Sequence, residues 1–144
     1  MKLIYVISLF LISASISFAQ CDTKKVLTIV QNMENLNEKE VDDFLNQFHE
    51  DCINNVEFRE FSNETLFELT GKNPDLLIRL LEQRKGKGNY KLIMKEFNSP
   101  LHDGFDLQTI YDTVMDTEND SNTKKIILEK LISAGKSIGE EIVE

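Results

Sequence analysis

Three short constellations in this chain bring together side chains that could do chemistry. The first is His102, Asp103 and Asp106, set around Gly104 soon after Pro100. A loop histidine beside two carboxylates could act as a general base or hold a divalent ion, and Asp106 at a helix start suits both roles. Such a site would make the chain a hydrolase or a divalent-metal-dependent enzyme. The same residues also have a purely structural use, since Asp-Gly is a common turn pair and aspartate an ordinary helix N-cap.

The second constellation is the alternating run Asp116, Glu118, Asp120 and Asn122, which resembles the opening of an EF-hand calcium loop. A working loop needs glycine at its sixth position and glutamate at its twelfth. Counted from Asp116, those positions hold Ser121 and Ile127, and Lys124 and Lys125 add positive charge. A solvated acidic linker is the default reading. The third is His49 with Asp51 and Cys52. On a helix His49 and Cys52 would share a face, but a nucleophile needs a base held by a third group, and a structural zinc site needs four ligands.

Other function classes lack their residues. Gly71-Lys72 and Gly86-Lys87-Gly88 do not have the spacing of a phosphate-binding loop, so no cofactor is expected. There is no tryptophan, and an aromatic fraction of 8% offers no platform for sugar stacking. The net charge of -9, with 16 basic residues scattered along the chain, argues against nucleic acid and anionic membrane surfaces. Arg79, Arg84, Lys85, Lys87 and Lys91 are the densest basic stretch, and read as a solvated helix end and turn.

The elements that would position these groups begin after an export signal. Lys2 supplies a positive start, Leu3 to Ile12 an apolar stretch, and Ser17-Phe18-Ala19 a cleavage site, so residues 1–19 are expected to be removed. The apolar stretch is too short to span a bilayer, which takes about 20 residues. Gln20 is large and polar where a lipidation site wants a small residue, which ranks a lipoprotein anchored through Cys21 behind simple cleavage. The expected location is the periplasm or the extracellular medium. Residues 20–144 then form one small domain, about the size at which a single hydrophobic core is sufficient. Export leaves Cys21 and Cys52 where a disulfide persists, and their pairing is expected.

Helical periodicity runs through the domain, and no strand pattern competes. Asp22 or Thr23 caps a helix with Val26, Ile29, Val30 and Met33 inward. Asn37 and Glu40 form a capping box before a stripe of Val41, Phe44, Leu45, Phe48 and Cys52. An antiparallel hairpin of these two helices would bring the cysteines together. Residues 54–62 fit no period and read as a loop, after which Ser62 or Asn63 opens a short helix ended by Gly71. Asn73-Pro74 starts the next, with Leu76, Leu77, Leu80 and Leu81 on one face. Helices at about 90–97 and 106–115 follow. The last opens near Asn122 or Thr123 and carries Ile126, Ile127, Leu131, Ala134 and Ile138.

An all-α array of six or seven short helices results. Residues 66–81 look like one helix pair of an ankyrin repeat and residues 99–102 like the start of another, but the spacing does not recur, so no repeat function is carried over. The expected function is a non-catalytic binding or accessory module for a protein or peptide, with a groove between the Pro74–Arg84 and Asp106–Met115 helices as the candidate face.

Overall fold

Among the described residues, 21–144, every regular element is helical, as the periodicity predicts. A computed structural model gives α1 (Thr23–Asn32), α2 (Glu38–Leu45), α3 (Glu50–Ile53), α4 (Val56–Lys72), α5 (Pro74–Gln83), α6 (Tyr90–Glu96), α7 (Leu107–Met115) and α8 (Asn122–Ile138). The signal read over residues 1–19 lies outside the described residues, as does Gln20. Among the described residues no helix is long and apolar enough to cross a membrane.

α4 is the axis of the fold. α1, α3, α5 and α7 pack against it, and α8 closes over α5 and α7. Phe58, Leu66, Phe67 and Leu69 are buried along it together with Ser62, Asn63, Thr65 and Thr70. A helix buried around so much of its circumference shows no narrow apolar stripe. That is why Val56–Ser62, read as loop from sequence, is helix. Asn55 opens it by accepting the Phe58 N–H at 3.1 Å, and Asn63, expected to be a cap, stands buried in mid-helix.

The first hairpin differs from expectation in a similar way. α2 carries the capping box of Asn37 and Glu40, but it stops at Leu45. Gln47 and Phe48 donate to the Phe44 and Leu45 carbonyls, tightening the last turn. Gln47 then reaches back, its Oε1 accepting the Asp22 N–H at 3.0 Å and its Nε2 donating to the Asp43 carbonyl. The turn leaves Phe48 in the core and puts Cys52 on the separate one-turn helix α3. Cys52 is bonded to Cys21 across a sequence separation of 31, with the two Cα atoms 5.4 Å apart. On α1 the buried stripe is narrower than expected, because Val26 and Ile29 are enclosed and Val30 is exposed.

Helix ends are held by distant side chains. The last carbonyls of a helix have no partner within it. Asn73 occupies the cap position of α5, yet its amide donates at 2.7 Å to the Met33 carbonyl at the end of α1 instead of capping its own helix. Asn89 treats the Leu45 carbonyl at the end of α2 likewise, at 2.8 Å. Asn63 donates to the carbonyl of Glu96 at the end of α6 and to that of Ser99 beyond it, and its Oδ1 accepts the Leu101 N–H.

Arg84 is the largest departure from the sequence reading. It is 1% exposed, not part of a solvated turn. Its guanidinium donates to the Asp42 carbonyl at 2.8 Å, to the Asp42 carboxylate and to Asn46 Oδ1, which places a cation at the negative end of α2. The end of the described chain is tied down by an amide clamp. Gln108 on α7 exchanges two hydrogen bonds with the Val143 backbone, and Ile142 lies on Gly135 of α8, where a Cβ would approach the Glu140 carbonyl to 3.0 Å.

Candidate functional site

The exposed residues of α4 are Val56, Glu57, Glu60, Glu68 and Lys72, with Glu64 half-buried between them. Glu57, Glu60, Glu64 and Glu68 recur every three or four residues and so lie on one face of the helix. Among the described residues none of these four carboxylates takes part in an ion pair. The opposite side of the same helix is fully partnered. There Glu96, 1% exposed, receives the Arg59 guanidinium at 3.1 Å and the Asn63 amide at 3.2 Å.

The loop 101–106 runs beside this strip because Asn63 fixes Leu101 and because Phe105 stacks on Phe67, with ring centroids 5.2 Å apart. His102 is exposed. Its Nδ1 accepts the Gly104 N–H at 3.1 Å, and its ring meets Phe105 edge-on. Any Cβ at position 104 would come within 2.9 Å of that nitrogen, so glycine is what allows the ring to sit there. Asp103 is exposed and Asp106 is the N-cap of α7, with its two oxygens accepting the Thr109 N–H and the Thr109 hydroxyl. The Thr109 N–H, and then its hydroxyl, hold the Asp106 carboxyl below the usual carboxylate range.

Two open hollows flank the loop. The first, about 470 Å³, has Met33, Phe67, Phe105 and Ile110 in its walls and Glu34, Glu68, Asp106 and Lys72 among its charged residues. The second, about 380 Å³, is lined by Glu57, Glu60, Phe61, Glu64, Leu101 and His102. His102 therefore lines one hollow and Asp106 the other. The expected groove was between α5 and α7. Those helices do pack together, but the hollow with the apolar walls opens between α4, the end of α1 and the start of α7.

The other two constellations are taken up by local structure. Asp116 is the C-cap of α7, Asn119 accepts the Ser121 N–H, Ser121 caps α8, and Asn122 begins that helix. The Lys124 ammonium donates at 2.8 Å to both the Met115 and Thr117 carbonyls, filling with its own charge the place where loop carbonyls converge. Asp120 faces Lys125 at 3.4 Å. Glu118 is exposed. His49 precedes α3 with its Nε2 3.2 Å from Cys52 Sγ, and that sulfur is already in the disulfide. Among the described residues no three His, Cys, Asp or Glu side chains gather so as to hold a metal ion.

The sequence reading did not single out the glutamate strip, Phe61 or Leu101. The signal was present as the three- and four-residue spacing of Glu57, Glu60, Glu64 and Glu68, and it stays hidden while 54–62 is taken for a loop. Compared with known proteins, the chain matches no family model, no curated protein and no solved structure.

Proposed function

We propose that this chain is an exported, non-catalytic helical module that binds a protein or peptide in the periplasm or the extracellular medium, without inserting into the membrane once its signal is removed. The observation that carries this reading is the use of the exposed side chains around residues 101–106. Asp106 is committed to a cap and His102 to a turn, while two open, partly apolar hollows lie on either side of them. Hollows walled by apolar groups with a few polar ones are where ligands bind. The export signal in residues 1–19 and the Cys21–Cys52 bond support an oxidising compartment.

The test has two arms. Intact mass of the protein recovered from the envelope or medium of an expressing bacterium should correspond to a chain beginning at Gln20, free of lipid, and should rise on reduction and alkylation by two blocked thiols. The purified protein should turn over nothing in a panel of ester, peptide, glycoside and phosphate substrates. Turnover abolished by His102→Ala or Asp106→Asn would overturn the binding reading in favour of a hydrolase centred on His102, Asp103 and Asp106.

A further inference from the structure

The two hollows and the loop between them make one continuous surface along α4, and its apolar groups are on display. Leu101 is 40% exposed, and Phe61, Phe105 and Met33 are half-buried at the hollow walls. What would cover such a surface is decided by the charge beside it. Glu57, Glu60 and Glu64 line one hollow and Glu68, Glu34 and Asp106 the other, and the lysine lining them is Lys72. Like charges three and four apart on a helix disfavour it, so the strip weakens the fold that carries it. Charged groups of this kind, set around an apolar surface, steer and select a partner of opposite sign.

We infer that this face docks a cationic amphipathic segment of a partner polypeptide, with its Lys and Arg side chains on the α4 glutamates and its apolar side chains in the two hollows. This rests on the binding-module reading above and adds the partner's chemistry and the face it occupies. From Glu57 to Glu68 the strip is about 16 Å long at the rise of an α-helix, which sets the partner segment at roughly three helical turns. Lys72 would sit among the partner's apolar residues or its own acidic ones, since it opposes a wholly basic segment. An anionic ligand has no matching surface here.

The experiment uses the mature disulfide-bonded protein and a fluorescein-labelled amphipathic peptide of alternating Lys and Leu blocks, about twelve residues long, read by anisotropy. Binding should be saturable and weaken as sodium chloride is raised, because exposed ion pairs are screened. Glu57→Gln, Glu60→Gln, Glu64→Gln and Glu68→Gln together should weaken it about ten-fold, the combined effect of four exposed pairs. Leu101→Asn should weaken it about three-fold, as the loss of a half-buried apolar contact does. A control with the same change in net charge, Asp75→Asn with Glu129→Gln, Glu140→Gln and Glu141→Gln, should bind nearly as the parent does.

Equal losses in the two neutralised variants would overturn the face while leaving a binding module in place. If the Lys-Leu peptide fails to bind and an uncharged apolar peptide of the same length binds, the cationic class is overturned and the module reading stands. Cleavage of the peptide, seen by mass spectrometry, would remove both. Circular dichroism of every variant keeps loss of folding apart from loss of binding.

Discussion

The side of the molecule built on α2 and α5 and the side built on α4 and the 101–106 loop treat their acidic residues in opposite ways. On the first, Asp42 meets Arg84, Glu38 meets Arg79, Asp43 meets both Lys25 and Lys39, and Glu82 takes hydrogen bonds from Lys85 and Thr123. On the second, none of the four glutamates Glu57, Glu60, Glu64 and Glu68 is in an ion pair among the described residues. The acids of the first side tie helices together. Those of the second stand three and four apart as like charges, an arrangement that disfavours a helix by about 0.2–0.5 kcal/mol per pair.

The largest effect that would sharpen this contrast lies on the other side of α4 from the strip. Arg59→Ala leaves the Glu96 carboxylate buried without a counter-charge, and should cost about 3–5 kcal/mol in urea unfolding. Adding Glu96→Gln to that variant should recover part of the loss, as a double-mutant cycle would show. A cost below about 1 kcal/mol, the value of an exposed pair, would put this network in the same category as the surface charges. Next in size is the disulfide. Replacing Cys21 and Cys52 with alanine opens a 31-residue closure, and should cost about 3 kcal/mol, mostly by freeing the unfolded chain.

Acid should act on the Asp43 and Glu82 pairs of the first side and on the Asp106 cap of the second. Asp43 is held below the usual carboxylate range by its hydrogen bond from Lys39, then by Lys25, and Glu82 by hydrogen bonds from Lys85 and Thr123. Folded values below the unfolded ones mean that the stabilisation is complete above the unfolded carboxylate range, near about pH 4, and is lost as pH falls through the folded values. Urea midpoints should therefore decline below about pH 4. Asp43→Asn should flatten that decline. The smallest effect is expected at neutral pH. Neutralising Glu60 and Glu64 removes a like-charge pair and should raise stability by about 0.2–0.5 kcal/mol. A loss of stability there would mean that these carboxylates serve the fold after all.

Much of the fold was legible because it is written locally. The capping box at Asn37 and Glu40, the Asp106 cap and the proline start of α5 depend on residues within one helical turn of each other, and each lies where the sequence puts it. The pairing of Cys21 with Cys52 was legible from cysteine count and helix order. What stayed hidden acts at long range. Asn63, Asn73, Asn89 and Arg84 look like caps or solvated turn residues, and each donates to a carbonyl 33 to 44 positions away. The α4 helix escaped for a related reason, since burial on several sides by other helices erases the amphipathic period that marks a helix at the edge of a core. With α4 went the register of its glutamates, and so the face on which the functional proposal rests.

The claim that α4 and the 101–106 loop form a docking face is tested most directly by a backbone amide NMR titration of the uniformly 15N-labelled mature protein with the unlabelled Lys-Leu peptide. Shifts should concentrate at residues 57–68 and 101–106, with the end of α1 and the start of α7 following and the α2 and α5 amides unmoved. Shifts centred on α2 and α5, or spread evenly over every acidic residue, would contradict it.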